Sequence, residues 1–359
     1  MTSNNLVIFT ALGSLALLPR MACAQAEDVQ ASSATYTPAR LLERVVPTYP
    51  QGAAASWREG WVILSYVVSK EGEVTEVMIE DSSGSQEFER AARRAVSRWR
   101  YSPAMLDGQP VEQSMTRARS LFVLDKSSDG ASRAFVRKAD RIQKLIREGD
   151  LEAANEMLLD LQYEERHNLY EDAWFWWLKY AHLEVSGEAD NQELIESLQR
   201  AIGYYDEYLP PELFVSAVLR LYGLHVQELE FRSAKTVAER LLQSESASKT
   251  EQYPQIEQLH ASLRQLDAVI EGDSILTLDG RVGRYDYWVH ELSRRSFSLD
   301  QIQGEIEVVD IRCARGTTRY YSVAQDVKWS IPESWGDCGV YIKGKEGTTF
   351  AFYEHPNEG

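Results

Sequence analysis

The sequence predicts a multidomain α+β protein, and three observations predict it. Residues 36–126 alternate strand-period runs with one amphipathic helix. Residues 133–272 carry helical periodicity throughout. Residues 273–359 are rich in Gly, β-branched and aromatic residues. A chain of 359 residues has room for two or three domains. Apolar residues are 44% and charged residues 26% of the total, which are globular proportions. The net charge of −17 argues against binding to nucleic-acid phosphates or to an anionic membrane surface.

The N-terminus reads as an export signal. Leu6 to Pro19 is an apolar run of 14 residues, and Ala24-Gln25-Ala26 follows as a small-x-small cleavage site. Residues 1–26 are therefore expected to be removed after Ala26. An uncleaved anchor is the alternative, but the run is short for a span of about 20 residues and ends at Pro19-Arg20. Arg20 also spoils a lipoprotein reading of Cys23. Cleavage leaves Cys313 and Cys338, and an oxidising compartment favours their disulfide over two buried thiols. Closing that loop of 26 residues is worth about 3.5 kcal/mol in the chain-entropy account.

Charge separates three segments. Residues 36–126 hold 12 basic and 12 acidic residues, residues 133–272 hold 15 and 26, and residues 273–359 hold 10 and 14. Glu27 to Thr35 is a polar lead, and Lys126 to Ser132 is a Ser/Gly linker.

In the first segment Pro47 and Pro50 stiffen the entry. Trp61 to Ser69 is a strand with Val62, Leu64, Tyr66 and Val68 on one face. Lys70-Glu71-Gly72 turns into a second strand, Val74 to Glu80, with Val77 and Ile79 inward. A helix from Gln86 to Trp99 puts Phe88, Ala92, Ala95, Val96 and Trp99 on one face and Arg90, Arg94 and Arg98 on another. Pro103 ends it, Asp107-Gly108 turns, and Thr116 to Leu124 is the last strand, with Ala118, Ser120, Phe122 and Leu124 on one face.

These residues carry a resemblance. Pro47-Thr48-Tyr49-Pro50, Glu59-Gly60-Trp61-Val62, Gly72-Glu73-Val74, Ser82-Ser83-Gly84 and Arg98-Trp99-Arg100-Tyr101-Ser102-Pro103 resemble, in order and spacing, the C-terminal domain of the TonB family. The resemblance covers about a quarter of the chain. It implies a small α/β sandwich in the periplasm of Gram-negative bacteria. Its edge strand would add an extended segment, the TonB box, of an outer-membrane or periplasmic partner. By the resemblance that edge is Thr116, Arg117, Ala118, Arg119, Ser120, Leu121, Phe122 and Val123. Arg117 and Arg119 are expected to face outward, guarding the edge or meeting an acidic partner. TonB proper also has a His-bearing membrane helix and a Pro-rich spacer. Neither pattern occurs here, and the TonB-like part leads the mature chain instead of ending it, which argues against direct force transduction.

The middle segment predicts seven helices: Arg133–Glu148, Leu151–Gln162, Tyr170–Val185, Gln192–Tyr205, Pro211–Leu229, Arg232–Leu242 and Ile256–Ile270. Gly149-Asp150-Leu151-Glu152-Ala153-Ala154 and Glu230-Phe231-Arg232-Ser233-Ala234-Lys235 weakly resemble tetratricopeptide repeats, which implies stacked helical hairpins and a second docking surface. Trp174, Trp177, Leu178 and Ala181 form one apolar stripe. Phe175 and Trp176 lie off it, so at least one of these aromatics is expected at a second interface.

The last segment predicts an antiparallel sandwich or barrel. Its elements would be a hairpin around Asp279-Gly280 within Ile275–Val282, and strands at Ile306–Cys313, Tyr320–Val323, Val340–Lys343 and Thr348–Tyr353. Ile331 to Cys338 would be a loop closing the core beside the bridge.

Chemistry is hard to find. The histidines at 167, 182, 225, 260, 290 and 355 form no ligand pair, and there is no CxxC, P-loop, Rossmann glycine pattern or nucleophile elbow. Glu164-Glu165 reads as solvated helix surface and His182 as a packed helix residue. The expectation is an interaction protein with no cofactor or metal, acting in outer-membrane transport or envelope function. Its rivals are an anchored transducer and an enzyme within residues 273–359.

Overall fold

The computed structural model describes residues 35–124, 130–163, 168–203, 208–251, 253–321, 323 and 327–357. The export signal, the polar lead up to Ala34, Glu164-Glu165 and most of the 126–132 linker lie outside them. Among the described residues no helix is long and apolar enough to cross a membrane.

The first segment opens with β1 (Tyr36–Thr37), β2 (Arg40–Glu43) and a short helix α1 (Gln51–Ala55). Then come β3 (Gly60–Val68), β4 (Val74–Ser82), α2 (Gln86–Val96), β5 (Arg100–Ser102), β6 (Ala104–Leu106), β7 (Gln109–Val111) and β8 (Gln113–Phe122). The main sheet has the order β4-β3-β8, all antiparallel. The 3.6-residue period of α2 lays Phe88, Ala91, Ala92 and Val96 on Val62, Leu64, Tyr66 and Val68. Asp107-Gly108 makes the β6–β7 turn, both at positive φ of 51° and 79°, as a two-residue hairpin requires.

The middle segment forms α3 (Arg133–Glu148), α4 (Leu151–Tyr163), α5 (Leu169–Ser186), α6 (Asn191–Ala201), α7 (Pro211–Gln227), α8 (Phe231–Leu242) and α9 (Tyr253–Ile270). Ser132, Asn168 and Asp190 cap α3, α5 and α6 by accepting from the N–H three residues on. The two repeat-like motifs fall at the α3–α4 turn and at the start of α8. On α5 the expected stripe is not the deepest: Phe175, Trp176, Leu178 and Ala173 are buried, whereas Trp174, Trp177 and Ala181 are half-buried. The reason is tertiary, because α5 is packed by α3, α4 and α6 and has no single buried face.

The last segment forms β9 (Leu276–Arg281), β10 (Tyr287–Glu291), β11 (Ser296–Gln303), β12 (Ile306–Cys313), β13 (Gly316–Tyr320), β14 (Lys328–Ser330), β15 (Cys338–Gly344) and β16 (Thr349–His355). Two four-stranded antiparallel sheets result, ordered β10-β15-β12-β13 and β14-β11-β16-β9. Asp279-Gly280 is not a turn but lies inside β9. Gly280 pairs with Phe350, and a Cβ there would sit 2.1 Å from the Phe350 ring, so the glycine serves close packing. The strand expected at Tyr320–Val323 instead ends at Tyr320, and β10, β11 and β14 were not foreseen. Cys313 and Cys338 are joined, facing each other at the ends of β12 and β15. Trp335, in the loop before the bridge, covers Gly316.

One apolar cluster runs from Phe135 of α3 through α9 to Phe352 of β16, so the helices and the last sheets share a core. A buried polar rivet joins them. Arg294, 2% exposed, donates to the carbonyls of Val269 and Ile270 at 2.9 Å and of Gly272 at 3.0 Å, capping the C-terminus of α9. Glu354, fully buried, accepts from the N–H of Arg294 at 2.6 Å and lies 2.6 Å from His290 Nε2. Burial holds the Arg294 guanidinium below its usual range, against the pull of Glu354 and Asp273. A second pair, His225 and Glu230, meets at 2.6 Å between α7 and α8.

Two outcomes follow. Arg294→Met strands several buried carbonyls and should cost about 3 kcal/mol in thermal unfolding; an unchanged melting curve contradicts the rivet. Burial pushes the Glu230 carboxyl up, but His225 outweighs it and holds the group below 4.5. Its contribution is therefore present above pH 4.5 and lost as pH falls through the lower folded value. Glu230→Gln should remove that part of the acid limb in a stability–pH profile.

Candidate functional site

Strand β8 ends its sheet. Its register runs antiparallel along β3 from Gly60↔Phe122 to Val68↔Gln113. Among the described residues no strand pairs with its outer edge. Alternation gives it two faces. Ala118, Ser120 and Phe122 turn toward α2, and Phe122 stacks on Phe88 at 4.4 Å with the Tyr49 ring edge-on at 5.8 Å. Thr116 pairs with Tyr66 of β3 and is half-buried. Leu121 and Val123 are 44% and 43% exposed.

Arg117, Arg119 and Leu121 share the opposite face with Trp61 and Ile63. Part of this face is covered by the rest of the chain, while the Arg117 side chain and Leu121 each stay 44% exposed. Trp61 packs on Leu169 and Ala173 of α5, and its indole lies 3.4 Å from Asp172. Arg117 pairs with Glu80 at 2.8 Å and with Glu291 of β10. Burial works against the Arg117 charge, but Glu80 and Glu291 outweigh it and hold the guanidinium above its usual range. The acidic partner foreseen for Arg117 is thus inside the chain. Arg119 is half-buried on the same face.

More charges follow along this contact. Glu76 of β4 meets Arg312 at 3.2 Å and also Arg319, while Asp310 holds Arg312 at 2.7 Å. Tyr341 donates to Glu80 at 3.4 Å under the Arg312 guanidinium, and burial with the Glu80 charge pushes it up to about 12. Farther on, Arg200 of α6 binds Asp81 at 2.8 Å and covers the Trp176 ring at 4.5 Å.

The ends of β8 are held too. Gln113 accepts from Tyr36 Oη at 2.9 Å and from the Ala39 N–H at 2.8 Å. Leu124 N–H donates to Glu59 at 2.8 Å, and the other Glu59 oxygen accepts from Leu169 N–H at 3.2 Å. In the sequence Glu59 appears only within a motif and Glu80 only as a strand end, and Glu291 carries no signal at all. Their partners lie up to 174 positions away, and no spacing rule reaches that far.

The motif residues build the frame behind the strand. Pro47 leads into Tyr49, whose hydroxyl donates to Arg58 O at 2.6 Å; burial and the Glu59 charge push it up to about 12. Pro50 precedes α1, Gly60 opens β3 and Gly84 precedes α2. Trp99 is buried and donates to Val45 O at 2.9 Å, and Pro103 links β5 to β6. Gly72 adopts φ 81°, and a Cβ there would lie 2.0 Å from Tyr101 O.

Elsewhere, a trough of about 730 Å³ separates the start of α6 from the β9–β16 surface, lined by Asp190, Glu193, Asp279, Arg281, Gln303 and Trp288. His182 borders a hollow of about 520 Å³ beside it, and burial holds its imidazole below the usual range. Among the described residues no group of three or more His, Cys, Asp or Glu could hold a metal.

Residues 45–124 match the family model of the Gram-negative bacterial TonB protein C-terminal domain. The TonB protein of Pseudomonas aeruginosa is 30% identical over 71 residues, 20% of this chain and 21% of that protein. TonB of Escherichia coli K12 is 39% identical over 64 residues, 18% of this chain and 27% of that protein. TonB of Vibrio cholerae is 32% identical over 74 residues, 21% of this chain and 30% of that protein. The chain therefore spans less than a third of each of these relatives. The solution structure of the P. aeruginosa TonB C-terminal domain is 23% identical with a TM-score of 0.23, covering 26% of this chain and 92% of that one. The TonB2 protein of Vibrio anguillarum is 26% identical with a TM-score of 0.21, covering 33% and 99%. Residues 45–124 are thus a TonB C-terminal-like part of a longer mixed α/β chain.

The Gly72 contact predicts that Gly72→Ala destabilises this part by about 2 kcal/mol or more, through both the positive φ and the carbonyl clash. Denaturant unfolding followed by tryptophan fluorescence measures it; a shift under a few tenths of a kcal/mol contradicts the role assigned to the motif.

Proposed function

We propose that this chain is an envelope interaction protein that captures an extended partner segment by adding it as a strand to the outer edge of β8. The observation that carries the reading is that edge. It is the last strand of its sheet, no described strand pairs with it, and it lies within the TonB C-terminal match. An unpaired edge offers a row of N–H and C=O groups, and an added segment satisfies them while its alternate side chains meet the faces. The acceptor residues are Thr116 to Val123, with Leu121 and Val123 as the exposed apolar contacts.

The partner is a periplasmic or outer-membrane protein carrying a TonB-box-like segment, and the process is outer-membrane transport. The chain acts in the periplasm after cleavage following Ala26, a compartment that suits the Cys313–Cys338 bridge. It needs no cofactor, because recognition is by backbone pairing. Helices α3 to α9 provide a second docking surface beside the strand.

The test is titration calorimetry of the full chain with a synthetic TonB-box peptide. Ser120→Pro, which breaks the strand, and Leu121→Lys, which charges its exposed edge, should each abolish binding while the helical circular dichroism stays intact. Binding that survives both sinks edge addition at β8.

A further inference from the structure

The acceptor strand is held by groups outside its own sheet. At its C-terminal end Glu59 uses both carboxylate oxygens, one for Leu124 N–H at 2.8 Å and one for Leu169 N–H at 3.2 Å. Leu169 is the first residue of α5, where a helix has N–H groups with no partner of its own. One carboxylate therefore ties the end of β8 to the helices. In mid-strand Arg117 is gripped between Glu80 and Glu291, and Glu291 belongs to β10 of the last sheets. At the start Tyr36 Oη lies 2.9 Å from Gln113 Oε1 and 3.1 Å from Ala314 O, just past β12. Each anchor links β8 to a part of the chain beyond the TonB-like residues.

We infer that Glu59 and Glu291 are positioning residues for segment capture, through which the helices and the last sheets hold β8 ready for a partner strand. This rests on the reading of β8 as the acceptor. An edge strand free to fray loses backbone freedom when a partner binds, in addition to what the partner loses. A strand already fixed at both ends and the middle has less to lose, so it binds more tightly. The leverage is specific to this chain, because the groups that grip Glu59 and Arg117 come from α5 and β10.

The test uses the full chain as wild type, Glu59→Gln and Glu291→Gln. Glutamine keeps the size of Glu59 but has one carbonyl oxygen in place of two, so one of the two N–H groups loses its acceptor. Glu291→Gln removes the charge that holds Arg117 and leaves Glu80 in place. Two readouts are taken: amide hydrogen exchange resolved by segment, and affinity for a synthetic TonB-box peptide. The expected result is exchange about tenfold faster in β8 and at Leu124, no change in α7 or β12, and peptide affinity weaker by about five- to tenfold. Faster exchange with unchanged affinity overturns the inference, since the anchors would then be merely structural. Unchanged exchange in both variants overturns it as well. If Glu59→Gln fails to fold, Glu291→Gln alone decides by the same two readouts. A wild type that binds no peptide overturns the capture reading and this inference with it; a wild type that binds as tightly as both variants overturns only this one.

Discussion

A three-stranded sheet with one helix can cover only one of its faces, and the rest of this molecule is organised around the other. Helix α2 buries Val62, Leu64 and Tyr66. Their neighbours Trp61 and Ile63 point the opposite way, as strand alternation demands. Left in water they would expose a large apolar surface beside an open edge, a combination prone to unwanted pairing. Helix α5 covers them with Leu169 and Ala173, and the sheet containing β10, β12 and β15 meets the face farther along through ion pairs. The TonB-like residues are therefore not a free module here. Part of their second face is an internal surface of a larger body.

The two halves of that face are joined by different physics. Toward the helices the contact is apolar around Trp61. Toward the last sheets it is ionic, with Glu76, Glu80 and Arg117 set against Asp310, Arg312, Arg319 and Glu291. Arg312 and Asp310 are almost fully buried, and Arg312 also lies over the Tyr341 ring. Ion pairs removed from water return little net stability, because desolvation offsets most of their attraction. They do impose geometry, since a charge left unpaired at such a site is costly. The ionic half thus sets how the sheets sit on one another more than it binds them. The covering body itself is held firmly, by the core that α3 to α9 share with β9 to β16 and by Arg294 at the end of α9.

Much of the local structure was legible. The period-2 and period-3.6 patterns gave β3, β4, α2, β8 and all seven later helices, most within three residues of their ends. The compartment argument led to Cys313 and Cys338. Failures came where a local signal had a tertiary explanation. Asp279-Gly280 reads as a turn, yet the glycine is there because the Phe350 ring lies against it. Trp174 and Trp177 read as the apolar stripe of α5, yet Phe175 and Trp176 off that stripe are the more deeply buried, because the helix is packed on several sides. Strand β10 was missed because Tyr287 to Glu291 is short and its Trp288 and His290 face inward at the edge of the sheets, a weak pattern by itself.

The sequence by itself determined β3, β4, α2, β8, the later helices and the TonB C-terminal-like part, because periodicity, turn residues and the ordered motifs from Pro47 to Pro103 are properties of neighbours along the chain. What the Arg117 face of β8 meets was decided only by the tertiary structure. Arg117 looks like an outward guard in sequence and is a partly exposed tie in the fold, since one of the two carboxylates that claim it stands 174 residues away. Glu59 stands in the sequence only as one residue of the Glu59-Gly60-Trp61-Val62 motif, and in the fold it bridges the end of β8 to the start of α5. Long-range electrostatic and hydrogen-bond partners have no period, and only packing brings them together.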